Sequence, residues 1–464
     1  MRFRLRDYAL PLAVLKNHRL MNAAPFWPAD RLADWVRGRR TAIVQHAYDT
    51  VPYYRRLFDR VGIRPSETAR PEVWAQVPTI AKTTIREEGE SMISTSRVTR
   101  GAVWAETSGS TGLKLRILLD RDVNAAAFAL FMRAWGSGGH YHFWQRHAAM
   151  KGLSYDTGWR YNRAIRCLEL SSARINPDSA RFFRDLILKY RPRFMRGYPS
   201  AMYLFCRLLR DQGLDLHIPM IISGSETLYE FQRQEIEGFL GARMYNHYTH
   251  WERAASILEC SGGRLHAQQD YGFHEILDGE GRAVGPGEPG VITVTTLHNR
   301  AMPLIRYQTG DIALWSSEPC SCGQNFPSVE RIEGRQTDYL VTPSAELVSG
   351  TFAVEAFRTL PHLLSAQIVQ PEIGRIEVRI VKGAGYHEPE TTKMILDALR
   401  QRLGADMKIE IRFCGVEGLE RSPVGKIRQC FNRIPADQLA RVGLAVTWGL
   451  NAPRPSPSGA GRAG

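Results

Sequence analysis

Two groups of residues have types and spacing that could do chemistry. Thr107, Ser108, Gly109, Ser110, Thr111 and Gly112 form an unbroken run of small or hydroxylated residues between the apolar stretches Val103–Ala105 and Ile117–Leu119. Such a run offers backbone N–H groups and hydroxyls with little side-chain bulk, which is what a triphosphate needs in order to approach a main chain. Gly and Ser also dominate plain hairpin turns, so the run alone leaves both readings open. It is not a Walker A loop, because Gly109 and Gly112 are too close and Lys114 is followed by Leu115. The second group is Cys260, His266, Cys320 and Cys322. A turn at 261–264 can return His266 to the side of Cys260, and Cys320 and Cys322 form a knuckle eased by Gly323. Three thiolates and a neutral imidazole suit a closed, tetrahedral, structural Zn²⁺ site. The alternative is four unrelated reduced residues, with cysteine serving as a small hydrophobe.

The surrounding pattern is that of an α/β protein. Leu32, Trp35, Val36, Ile43, Val44 and Ala47 recur at helical spacing up to Val51-Pro52, and a second helix runs over Tyr53–Val61. Asp122–Trp135 reads as a helix. From residue 176 the elements alternate: a helix with Asp178 as its cap and Phe182, Phe183, Leu186, Ile187 and Tyr190 inward, a strand at Arg193–Tyr198, a helix begun by Pro199, a strand at Pro219–Ser223, a helix to Leu240, and a strand at Ala242–Tyr248. Strands alternating with helices of this length indicate a parallel sheet. After residue 250, Gly-Pro turns and the run Val291–Leu297 point to a barrel-like or antiparallel part. Near residue 336 the texture restarts as a small α+β domain, with strands at Ser365–Gln370, Arg375–Val381 and Ile409–Phe413 and a helix at Thr391–Leu403. The division expected is a large domain over 1–335, a small mobile one over 336–445 and a disordered tail over 446–464.

The 464 residues carry a net charge of +14, and six excess positive charges lie in each of the segments 1–40 and 421–464. The nearly neutral middle argues against a continuous nucleic-acid groove, although basic ends could touch an acidic partner or a membrane surface. No apolar run reaches the roughly 18 residues of a membrane span. Seven cysteines without disulfide-like spacing fit a reducing cytoplasm.

Further stretches occur in a telling order: Ile221–Glu226 (Ile-Ile-Ser-Gly-Ser-Glu), Tyr248–Glu252 (Tyr-Thr-His-Trp-Glu), Pro303–Asp311 (Pro-Leu-Ile-Arg-Tyr-Gln-Thr-Gly-Asp), Ile332–Asp338 (Ile-Glu-Gly-Arg-Gln-Thr-Asp) and Ser422–Lys426 (Ser-Pro-Val-Gly-Lys). With the run at 107–112, and with Val51–Arg55 and Val77–Lys82, the chain over about 45–430 resembles the adenylate-forming superfamily of acyl-CoA synthetases, in its phenylacetate–coenzyme A ligase-like and capsule-biosynthesis-type branch.

The resemblance implies an AMP-forming ligase that activates a small carboxylic acid with ATP and passes the acyl group to coenzyme A. It implies that Thr107–Gly112 hold the phosphates, that Gly224, Ser225 and Glu226 flank the adenine beside Tyr248 and Thr249, and that Asp311 accepts the ribose hydroxyls with Arg335 nearby. Glu252 would carry Mg²⁺, and Lys426 would be the catalytic lysine brought in on the small domain. Some members of this branch carry a metal where the Cys/His group stands. A hinge is expected near Arg335–Asp338. Transfer to an amine or a carrier thiol is the alternative acceptor chemistry, and a basic nucleic-acid- or membrane-binding protein on an inactive ligase fold ranks last. The pattern departs from the family at Thr249, His250, Trp251, Gln308 and Thr337; the bulk of Trp251 implies a small or unusually shaped acid. An oligomer is compatible with the sequence.

Overall fold

A computed structural model describes residues 11–441, apart from 107–114, 137–144, 153–154, 336–337, 359, 361 and 423–424. The expected phosphate-binding residues Thr107, Ser108, Gly109, Ser110, Thr111 and Gly112 therefore lie outside the described residues, as do Thr337 and the tail over 446–464.

Twelve strands form one sheet. Its parallel half runs Arg243–Thr249, Met220–Gly224, Phe194–Gly197, His147–Lys151 and Cys167–Ser171, with Trp159–Asn162 antiparallel at the edge. Its other half is antiparallel and runs outward through Ser256–Glu259, Leu265–Ala267, Ser328–Arg335, Tyr307–Trp315 and Pro289–Thr296 to Gly272–Leu277. The part expected to be barrel-like is thus hydrogen-bonded edge to edge with the parallel strands, and Arg243–Thr249 is the seam.

The local sequence explains the elements. Pro52, Pro177 and Pro199 each sit in the first turn of a helix, where a missing N–H costs nothing. The helix Pro177–Tyr190 is capped by Asn176, whose side chain accepts from Ser179 N–H at 2.9 Å, and not by Asp178. Asp178 instead falls in the first turn, where its charge complements the helix dipole. Phe182, expected inward, is exposed, because the buried stripe of this helix runs through Ala180, Phe183, Leu186 and Ile187. Helices Pro177–Tyr190, Pro199–Asp211 and Glu230–Leu240 bury Phe183, Leu204, Phe205 and Ile236 with Met195 and Ile221 on one face of the parallel strands. On the other face Arg121–Gly136 packs Leu130 and Trp135 against Phe194 and Ile222.

After residue 338 a four-stranded sheet has the order Lys408–Phe413, Arg375–Lys382, Leu363–Glu372, Cys430–Asn432, with the helix Glu388–Leu403 burying Ile395, Leu399 and Leu403. Its apolar residues join the core formed by the three helices of the large unit, so the two units share buried surface. Polar contacts add to this: Arg421 donates to Ser172 O at 2.6 Å, and Ala384 N–H to Asp211 Oδ2 at 2.9 Å. Among the described residues, no helix is long and apolar enough to cross a membrane.

Candidate active site

The carboxyl ends of the parallel strands and the antiparallel strands Tyr307–Trp315 and Ser328–Arg335 bring together most of the residues singled out in the sequence. Open α/β sheets bind ligands at this edge. Asp311 lies on Tyr307–Trp315, paired with Arg335 across the ladder. Its Oδ2 accepts from the Tyr248 hydroxyl at 2.8 Å and lies 3.1 Å from His250 Nε2, while Oδ1 stands 3.6 Å from Arg335 Nε. Burial alone would raise the Asp311 carboxyl, but the His250 hydrogen bond and the Arg335 guanidinium outweigh it and hold the carboxyl well below the usual range. It is therefore a fixed anion that accepts hydrogen bonds.

Glu252 is buried, and its Oε1 accepts from the Tyr307 hydroxyl at 3.1 Å. Trp251 is 44% exposed, so its ring is not packed into the protein interior. Thr249 ends its strand, paired with Ser256. Gly224 must be glycine, because a Cβ there would stand 2.8 Å from His247 O. Ser225 follows with φ of 71°, a left-handed conformation that costs a non-glycine residue energy. Its carbonyl accepts from Lys426 Nζ at 2.7 Å.

Lys426 reaches the cleft on a turn of the small unit. Gly425 has φ of +76°, and a Cβ there would meet Ser172 Oγ at 2.8 Å. Lys426 Nζ also lies 5.1 Å from the centre of the Tyr198 ring. Burial, with Arg335 adding to it, lowers the Lys426 ammonium, and Glu226 and Asp311 oppose that. Glu226 is the carboxylate that acts most strongly on Lys426. Its Oε2 accepts from Ser200 N–H at 3.1 Å, and its Oε1 is buried without a hydrogen-bond partner among the described residues. Burial pushes its carboxyl up to about 7 despite Lys426 and Ser200. The two units meet again at Asp338, which accepts from Arg335 N–H at 3.2 Å and pairs with Arg428.

Ser200, Tyr307 and Arg428 were not singled out in the sequence. Arg428 lies two residues past Lys426 on the same segment, and only the fold shows that it returns to Asp338. Tyr307 sits inside the Pro303–Asp311 stretch, and its hydroxyl role appears only once Glu252 is placed beside it. Ser200 follows the helix-starting Pro199, where an N–H of the first helical turn, left without an intrahelical acceptor, is a recognisable donor to a carboxylate.

The Cys/His group is assembled as the spacing suggested. Residues 256–259 and 265–267 form a hairpin with His266 opposite Leu258, and Cys260 N–H bonds Arg264 O across the turn at 2.8 Å. Cys260 Sγ lies 3.5 Å from Cys320 Sγ, Cys322 Sγ lies 3.4 Å from His266 Nε2, and all four ligand atoms are within 4.8 Å of one another. A tetrahedral Zn²⁺ with bonds of about 2.0–2.3 Å spaces its donors by about 3.5–3.8 Å, so the donor set fits that ion. His266 Nδ1 lies 2.9 Å from Phe326 O, a bond that leaves Nε2 as the lone-pair nitrogen facing the thiols. The same loop fastens the N-terminal segment, since Asn325 N–H donates to Pro25 O at 2.7 Å and Phe326 packs against Ala24, Leu32 and Val36.

With this geometry in place, comparison with known proteins defines the class. The fold is that of acyl-CoA ligases: a crystal structure of 2-hydroxyisobutyryl-CoA ligase in the postadenylation state, in complex with an acyl-AMP, matches with a TM-score of 0.72 at 18% identity over 91% of this chain and 93% of that one. The same ligase in the thioesterification state, with CoA, matches with a TM-score of 0.59. Among curated proteins the chain is similar to phenylacetate-coenzyme A ligase from Thermus thermophilus, 25% identical over 68% of this chain and 72% of that protein. It is similar also to protein CapK from Staphylococcus aureus, 26% identical over 60% of this chain and 61% of that protein. The family model of the CapK C-terminal domain matches residues 340–433, the small unit described above.

Proposed function

We propose that the protein is an ATP-dependent, AMP-forming ligase that converts a small carboxylic acid to an acyl adenylate and transfers the acyl group to coenzyme A. The observation that carries this reading is the docking of Lys426 from the small unit onto Ser225 O, within the electrostatic reach of Glu226, Arg335 and Asp311. Attack of a carboxylate on the α-phosphate builds negative charge, and the protein's contribution is to position the reactants and neutralise that charge. Lys426 supplies the cation. Asp311, anchored by Tyr248 and His250, supplies the acceptor for ribose hydroxyls. The strained carbonyl of Ser225 and the neighbouring Glu226 border the adenine. Glu252, a buried carboxylate oriented by Tyr307, fits a hard cation and would hold Mg²⁺, which screens the phosphates when bound. Thr107–Gly112 join the two strands of a hairpin, Val103–Glu106 and Arg116–Leu119, and would hold the β- and γ-phosphates. The Cys/His group would hold a structural zinc ion that ties residues 24–27 to the antiparallel half of the sheet. Residues 1–335 and 336–445 act as large and small domains about a hinge at Arg335–Asp338.

The reading is tested by measuring pyrophosphate release from Mg-ATP across a panel of carboxylic acids, with and without CoA. Acid-dependent pyrophosphate and AMP, with acyl-CoA formed only when CoA is added, is the expected outcome. Activity with amines and not CoA would move the acceptor to the alternative class, and ADP with orthophosphate would overturn adenylation.

A further inference from the structure

Two cations stand close to this site with no carboxylate ion-paired to them among the described residues, although Glu169 is near enough to act on Lys151 at longer range. Lys151 ends the strand His147–Lys151, and Arg196 lies on the neighbouring Phe194–Gly197. The ladder places His147 opposite Cys167 and Phe194, Ala149 opposite Glu169 and Arg196, and Lys151 opposite Ser171. Lys151, Arg196, Cys167 and Glu169 therefore share the face covered by the helix Arg121–Gly136. In the ladder the residue between them is Ala149, whose side chain is small. Neither Lys151 nor Arg196 forms an ion pair within 4.0 Å among the described residues. Glu169, the one carboxylate on this face nearby, is committed elsewhere: its Oε2 accepts from Arg160 Nε at 2.9 Å and from the Tyr155 hydroxyl at 2.8 Å. Arg196 has the Cys167 thiol and the face of Trp135, 5.3 Å from its guanidinium carbon, while its Nε is buried without a hydrogen bond. His147 stacks on Phe194 with a buried Nε2 that also lacks a partner.

Uncompensated cations in a desolvated place are costly, and each disfavours the other. Burial, with Arg196 adding to it, pulls the Lys151 ammonium down to about 7, and burial with Arg196 next pulls the His147 imidazole down to about 3. The pair lies beside the reaction centre. Gly152, next to Lys151, forms a backbone hydrogen bond with the Tyr198 side chain, and Tyr198 is the ring beneath Lys426 Nζ.

We infer that the acid activated here carries a second carboxylate, received by Lys151 and Arg196, while the reacting carboxylate faces Lys426. This rests on the adenylation reading and narrows its substrate to dicarboxylic acids. An ammonium and a planar guanidinium side by side suit a carboxylate, one as a point charge and the other as a fork of donors.

The test is acid-dependent ATP–pyrophosphate exchange with unbranched diacids of three to eight carbons and the monoacids of the same lengths. The best diacid should exceed its matched monoacid in kcat/KM by about 30-fold or more, the size expected of a buried charge pair. Lys151→Met and Arg196→Met should each lower kcat/KM for that diacid by about 10-fold or more and leave the monoacid within about 2-fold, removing the preference. Binding gives an independent readout: the diacid without ATP should raise the wild-type melting temperature and fail to do so in Lys151→Met, whose own melting temperature should not fall because an unpaired cation has been removed. A wild type that prefers monoacids, or variants that lose mono- and diacids equally, would overturn the inference while leaving adenylation intact. Absence of exchange with every acid would overturn the adenylation reading and this inference with it.

Discussion

Glu226 gives a prediction whose sign and size can both be worked out. Its carboxyl is buried, one oxygen has no partner among the described residues, and its pKa stands at about 7 against 4.5 for a free glutamate. The folded protein therefore holds a proton there that the unfolded chain releases between those two values. A raised pKa contributes stability that is fully present below about pH 4.5 and is lost as pH rises through 7. The difference corresponds to about 3 kcal/mol at 1.36 kcal/mol per unit. Glu226→Gln keeps the shape and cannot titrate. Urea or thermal denaturation of both proteins from pH 4.5 to 8.5 should show the variant gaining on the wild type by up to about 3 kcal/mol across this range, most of it between pH 5 and 7. At pH 8 the wild type carries a desolvated carboxylate that only Lys426 and Ser200 support. A difference that is constant with pH would mean that water or another group satisfies Oε1. A variant that loses ground as pH rises would mean that the Glu226–Lys426 pair outweighs burial, reversing the assignment.

Three other outcomes follow from the same geometry. Lys426→Ala should slow adenylation by about 100-fold, roughly 3 kcal/mol of transition-state stabilisation, with ATP binding changed far less; adenylation at the wild-type rate in a stopped-flow assay would remove the small unit from the chemistry. Asp311→Asn keeps two polar atoms but loses one acceptor and the charge that orders His250 and Arg335, so the KM for ATP should rise by about 10-fold or more while 2′-deoxy-ATP is affected less; equal losses would show that Asp311 does not meet the ribose. Protein purified without added metal should contain close to one zinc per chain, and Cys320→Ser should lose it along with thermal stability before the chemistry suffers. Metal-free protein of unchanged stability would leave the four ligand residues as ordinary core and turn.

Much of this was legible in the sequence because local rules and tertiary requirements agree. Pro199, Gly213 and the apolar spacing between them mark a helix that the structure places over Pro199–Asp211. Of the residues expected to handle ATP, Gly224, Ser225, Glu226, Tyr248, Thr249 and Glu252 fall at or just past the ends of parallel strands, Arg335 ends Ser328–Arg335, and Asp311 lies mid-strand opposite it. The four residues expected to bind zinc also converge, since a hairpin of fixed register leaves Cys260 and His266 little choice. What was not legible depends on contacts distant in the chain. Asn176 outcompetes Asp178 as a cap because Ser179 returns a hydrogen bond to its backbone N–H. The antiparallel strands join the parallel sheet through Arg243–Thr249, which alternation alone does not reveal. His250 looked like a departure from pattern, yet it bonds Asp311; Trp251, expected to crowd the acyl pocket, is exposed. Lys151 and Arg196 lie on separate strands in no motif, and only their register shows that they face the same space.

The fate of one oxygen atom decides whether an acyl adenylate forms. With an accepted acid labelled with ¹⁸O in its carboxylate, Mg-ATP and CoA, attack on the α-phosphate leaves one labelled oxygen on AMP when CoA displaces it. Mass spectrometry of the products should find a single ¹⁸O in AMP and none in pyrophosphate. Label in orthophosphate, with ADP as the nucleotide product, would contradict the account, because the carboxylate would then have attacked the γ-phosphate.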